Sequence, residues 1–225
     1  MQKAHEEKRL LTASQYYELA RQTAREKRSE LGIATKDISI PVLKKICKKE
    51  NIKVDLVEKI GSNIRAAYFF DNDGCSILLK KDLPREPKLF ALAHELKHHF
   101  LDRELIASGK MQCGDYNKNK EIEIAAEIFA AEFIFPEDEM RSFIESMGIK
   151  RGSCTAEDIV RVKRNSPVSV SYVFIYKRLC WFGIIDKGQY SDVQFLKLEE
   201  RMYPPFYKEA WFKRARARKK LARGY

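Results

Sequence analysis

The chain has 225 residues, of which 43 are Lys or Arg and 32 Asp or Glu, giving a net charge of +11 with 44% hydrophobic residues. This balance describes a globular protein that buries a sizeable core under a heavily charged surface, and it excludes collagen-like and low-complexity classes. No apolar run approaches the ~20 residues needed to span a bilayer, and no signal-peptide core follows Met1-Gln-Lys-Ala-His-Glu-Glu-Lys8, so the expected location is the cytoplasm.

Residues 12–31 read as a helix: Thr12 to Gln15 forms a capping-box pattern, Tyr16, Leu19, Ala20 and Thr23 recur at helical spacing, and Gly32 ends it. A second helix starts at Pro41 and carries Val42, Leu43, Ile46 and Cys47 on one side, followed by a short strand at Ile52-Lys-Val54. The apolar runs 66–70 and 75–79 flank Asp71-Asn-Asp-Gly74, a hairpin signal. From Lys88 to Leu105, Leu89, Leu92, Ala93, Leu96 and Phe100 form a stripe that predicts a buried helix face. Residues 109–119 are polar and turn-rich and predict a loop. Residues 120–135 predict an apolar helix rich in alanine (125, 126, 130, 131) that stops at Pro136. Helical patterns follow at 137–148, 155–165 and 168–181; Thr155-x-x-Asp158 and Ser169 are the expected caps. The last two flank a Ser-Pro turn and resemble a helix-turn-helix, although the second is mostly apolar. From Lys208 to Tyr225 there are eight Lys or Arg and one Glu, a tail of charge +7 suited to nucleic acid or another acidic surface. The five cysteines (47, 75, 113, 154 and 180) include no C-x-x-C pair, which argues against a disulfide framework and a cysteine metal site.

Chemistry concentrates in His94-Glu95-Leu96-Lys97-His98; of four histidines in the chain, three (His94, His98, His99) fall within six residues. Histidines four apart share one helix face, so both imidazoles can grip one metal ion, and the intervening glutamate can reach water on that ion. A catalytic zinc needs a third protein ligand and an open position. The helix at 120–135 offers Glu123 as that ligand, with Glu127 one turn on as a hydrogen-bond acceptor for a ligating histidine. Glu121, Asp102 and Glu104 are rival ligands. Tyr116 and His99 are candidates to steady an oxyanion.

The segment Phe90-Ala-Leu-Ala-His-Glu-Leu-Lys-His-His-Phe-Leu101, followed by Glu123-Ile-Ala-Ala-Glu-Ile-Phe-Ala-Ala-Glu-Phe-Ile-Phe-Pro136, resembles the ImmA/IrrE-type zinc metallo-endopeptidases. Lys97 stands where that family usually has glycine, Glu127 where it has Asn or Asp, and Phe133-Ile-Phe135 where it has Leu-Leu-Met. The resemblance implies His94, His98 and Glu123 as ligands of Zn2+ and Glu95 as the catalytic residue. It further implies narrow-specificity cleavage of a helix-turn-helix transcriptional repressor, a form of regulatory proteolysis found on mobile genetic elements. The alternative is a non-cleaving or weakly active toxin–antitoxin-type module that binds a protein partner or DNA. The expected fold is α+β: a mostly helical zincin-like metallopeptidase body, a small antiparallel β-sheet against the motif helix, then a helix-turn-helix-like pair. The expected segments are a helical extension (1–34), the core (35–150), the helix pair (151–185) and a basic extension (186–225).

Overall fold

The computed structural model describes residues 12–61, 64–71, 73–108 and 120–204. The expected loop 109–119, with Cys113 and Tyr116, and the basic tail from 208 lie outside the described residues. The chain divides into two compact units, Met1–Phe143 with Ser166–Ser171, and Ile144–Asn165 with Tyr172–Tyr225.

The first unit opens with α1 (Ala13–Glu30), whose start carries the expected capping box: Gln15 N–H donates to Thr12 Oγ1, and Thr12 N–H donates to the Gln15 side chain. The buried face of α1, Ala20, Thr23, Ala24 and Arg28, packs along a later helix, α5 (Lys120–Ile134). Arg28 is buried there without being orphaned, because its guanidinium donates to the Phe133 carbonyl (2.6 Å) and to Thr35 Oγ1 (2.8 Å). After α2 (Ile40–Lys49), Asn51 adopts a left-handed φ of 55° and turns the chain into β1 (Ile52–Val57).

β2 (Ala66–Asp71) and β3 (Gly74–Lys80) form the expected hairpin, with the Asp73 N–H bonded to the Asp71 side chain. The sheet is not wholly antiparallel, as the sequence suggested. Its order is β1-β3-β2, and β1 pairs parallel to β3 over six residues, Ile52 opposite Cys75 through Val57 opposite Lys80. The physical reason is placement: β3 has one edge occupied by its hairpin partner, and β1 takes the other edge running in the same direction. That pairing also extends β1 three residues past the expected end.

α3 (Arg85–Lys97) packs on β2 and β3 and on α5. The stretch read as one helix to Leu105 is interrupted. A π-helical turn spans His98–Asp102, and a short α4 (Arg103–Ala107) follows. α5 has Ala125, Ala126 and Ala130 fully buried with Phe129 and Phe133, whose rings stack at 5.4 Å. α6 (Glu137–Ser146) starts after Pro136, and its first N–H is capped by the buried carboxylate of Glu132.

In the second unit, α7 (Ala156–Asn165) begins with the expected Thr155/Asp158 reciprocal cap. It packs on α8 (Tyr172–Trp181) and on α9 (Phe195–Met202). α9 falls within the segment expected to be a basic extension; its stacking of Phe195 on Tyr172 and its buried Leu198 give it a reason to fold. Among the described residues no helix is long and apolar enough to cross a membrane.

Phe129 is fully buried between helices. Phe129→Ala is expected to cost about 3–5 kcal/mol through lost transfer energy and the cavity left behind, read as a lowered urea midpoint with an unchanged slope.

Candidate metal centre

His94 lies in the last turn of α3 and His98 opens the π turn that follows it, their rings 5.2 Å apart. The alanine face of α5 lets the second helix come close. Glu123, buried near its start, reaches His94 Nε2 with Oε2 at 3.0 Å and lies 3.9 Å from His98 Nε2 through Oε1. One ligating atom from each of the three residues lies within 4.8 Å of the others. Tetrahedral ligands about 2.0–2.1 Å from an ion stand ~3.3 Å apart, so the cluster is close to the required spacing.

Three buried atoms here have no hydrogen-bond partner among the described residues: His98 Nε2, Glu123 Oε1 and Glu95 Oε2. Leaving such groups unpaired is costly unless something else satisfies them. All three residues line one cavity with His94, Ile64, Arg65, Ala66, Phe90, Ala91 and Glu127. Two imidazoles and a carboxylate are a donor set for a borderline divalent ion such as zinc. The residues therefore fit a metal.

His98 is oriented from behind. Its Nδ1–H donates to Asp102 Oδ2 at 2.7 Å, which leaves Nε2 as the free lone pair on the cavity side. Sequence reasoning gave this duty to Glu127 and weighed Asp102 as a rival ligand; the structure gives Asp102 the supporting duty and puts Glu127 on the cavity wall. Lys97, also buried, contacts the same Asp102 oxygen at 2.7 Å. The π turn makes this sharing feasible. Its i to i+5 bonding brings residues five apart onto one side, so Asp102 meets both Lys97 and His98. Glu121 and Glu104 are exposed.

Electrostatics follow the burial. For Glu95, desolvation dominates and raises the carboxyl above its ordinary value, with the neighbouring histidines and the Tyr68 backbone N–H pulling the other way. Burial would also raise Glu123 and lower His94, but their mutual hydrogen bond and the nearby charges reverse both: Glu123 is lowered and His94 raised. Burial would raise Asp102 too, yet the His98 hydrogen bond and the Lys97 charge hold it down to about 2. His99 is not drawn into the site. Its Nδ1 pairs with the Tyr68 hydroxyl at 3.0 Å and its Nε2 lies 3.8 Å from Glu50, while burial and the Arg103 charge lower its pKa.

Fold and site together define a helical α+β protein in which two histidines and a glutamate from adjacent helices converge on a buried donor cluster. The sequence profile of the IrrE N-terminal-like domain, a peptidase family, matches residues 47–179. The chain belongs to that family. A Mycobacterium tuberculosis transcriptional regulator has a similar solved structure, with a TM-score of 0.51 and 18% identity, covering 72% of this chain and 46% of that one. The chain thus spans about half the length of that protein. No curated protein matches the sequence.

In the metal-free protein, His94 is expected to titrate above the ordinary 6.5 and His99 below it. The His94–Glu123 contact therefore stabilises most between pH 4.5 and 6.5: it is lost above as His94 deprotonates through its raised value, and below as Glu123 protonates through its lowered one. An NMR titration of the imidazole resonances checks the two opposite shifts.

Proposed function

We propose that the protein is a zinc-dependent endopeptidase of narrow specificity, zincin-like in its body, with His94, His98 and Glu123 holding Zn2+ and Glu95 as the catalytic residue. The observation that carries this reading is the convergence of three orphaned buried atoms on Glu95, His98 and Glu123 around one cavity. Membership of a peptidase family supports it.

Zinc held by these residues supplies Lewis acidity, which lowers the pKa of water toward about 7 and polarises a peptide carbonyl. Glu95 supplies the proton transfers. Its carboxylate accepts a proton from the attacking water as the water oxygen bonds to the carbonyl carbon, then delivers that proton to the amine nitrogen as the C–N bond breaks. His98, with its tautomer set by Asp102, and Glu123 line the cavity that Arg65 and Phe90 also line.

The substrate we propose is a cytoplasmic helix-turn-helix repressor, in keeping with the ImmA/IrrE resemblance, and cleavage of it would make the enzyme a regulator of transcription. A second partner, DNA, is proposed for the basic tail from Lys208, whose +7 charge is its support. The structural neighbour is a transcriptional regulator, which is compatible with either role. A partner-binding module without cleavage is the competing reading.

Glu95→Gln is expected to lower cleavage of a repressor substrate at least ~100-fold while zinc content stays at the wild-type level. Incubation with candidate helix-turn-helix repressors, followed by mass analysis of the products, checks it. Equal cleavage by the variant removes Glu95 from the catalytic role and overturns this mechanism, and no cut by the wild type favours the binding module instead. In a gel-shift assay, DNA affinity through the tail is expected to fall steeply between 50 and 200 mM salt, as counterion release requires.

A further inference from the structure

Lys97 is the group in the protein that the proposed chemistry leaves unused, and its burial calls for a reason. A lysine is almost never fully buried unless paired, yet this side chain has no exposed surface. Its ammonium has three donors and meets three acceptors: Asp102 Oδ2 at 2.7 Å, the Ile122 carbonyl at 3.0 Å and the Tyr16 hydroxyl at 3.0 Å. The ammonium also stands over the Tyr16 ring, 4.8 Å from its centre.

Two of those acceptors adjoin metal ligands. Asp102 holds His98 through Nδ1, and Ile122 precedes Glu123 in the chain. One ammonium thereby braces the end of α3 against the start of α5, the two places from which ligands come. The third acceptor belongs to α1. The Tyr16 hydroxyl donates to Asp102 Oδ1, so both carboxylate oxygens are engaged. Tyr16 lies well before residue 47, where the match to the family domain begins.

We propose that Tyr16 and Lys97 are positioning residues that hold Asp102, His98 and Glu123 in metal-binding register, making α1 an integral part of the metal centre. The proposal rests on the metal-site reading above. Tyr16 lacks any route to the ion itself; it acts through Asp102, whose loss of support frees the His98 ring to turn or change tautomer. Groups that orient a ligating histidine commonly change metal affinity by 10–100-fold.

The test is zinc affinity of the full chain, measured by competition with a chromophoric chelator, for wild type, Tyr16→Phe, Lys97→Met, His94→Ala and Arg25→Ala. Arg25→Ala removes a different α1–α5 link, the 2.7 Å contact with Glu132, and serves as the control for loosened packing. The expected result is about 10-fold or more weaker binding for Tyr16→Phe and Lys97→Met, with Arg25→Ala at wild-type affinity. A second readout is the 15N NMR spectrum of His98 in the metal-free protein, where wild type is expected to show the Nδ1–H tautomer and Tyr16→Phe a mixture. Tyr16→Phe keeps the ring and its packing, so it decides the matter if Lys97→Met does not fold. Wild-type affinity and an unchanged His98 spectrum in Tyr16→Phe overturn the proposal, as does equal weakening by Arg25→Ala. If wild type and His94→Ala bind zinc alike, the metal-site reading itself is wrong, and the proposal falls with it for that separate reason.

Discussion

The structure depends on the close approach of two helices. α3 and the π turn after it carry His94 and His98, and α5 carries Glu123; they belong to one site because the α5 face that bears Glu123 continues through the small, fully buried Ala126 and Ala130. Larger residues on that face would hold the backbones apart, since helix axes separate according to the side chains between them. With alanines there, a carboxylate on one helix comes within 3.0 Å of an imidazole on the other. The phenylalanines of α5 then fill the space on either side, which locks the spacing by dense packing.

A concentration of charge in the interior follows from that approach. His94, Glu95, Glu123, Asp102 and Lys97 lie within a few residues of the helix contact, and most are buried. Such burial is costly unless charges are paired and hydrogen-bonded. The arrangement separates into two layers. Behind the ligands, Lys97, Asp102 and Tyr16 satisfy one another. In front, His98 Nε2, Glu123 Oε1 and Glu95 Oε2 are left unsatisfied on the described residues, facing the cavity. The contrast between a completed layer and an incomplete one is what marks the front as a candidate metal site.

Much of this was legible in the residues. The capping boxes at Thr12 and Thr155, the hairpin at 71–74 and the helices that supply the site follow from local rules, because each involves neighbours three or four apart. The grouping of His94, His98 and Glu123 was also within reach, since helical spacing pairs the first two and the alanine face singles out the helix of the third. α9 had a readable signal in Phe195, Leu198 and Met202 that its charged surroundings obscured. The parallel partner of β1, the π turn and the work of Asp102 were not readable, and Lys97, placed away from the metal by helix geometry, gave no sign that it would be buried.

By itself, then, the chain order determined the residue types of the candidate cluster, the segments that bear them and the family to which the chain belongs, because helix periodicity and capping are local. Only the tertiary structure decided that Tyr16, 81 residues before Lys97 along the chain, closes the network behind the ligands. It likewise decided that a π turn aims Asp102 at two partners at once. Those outcomes depend on how the start of α1 meets the end of α3 and the start of α5, and contact between distant segments leaves no mark on the spacing of residues within any one of them.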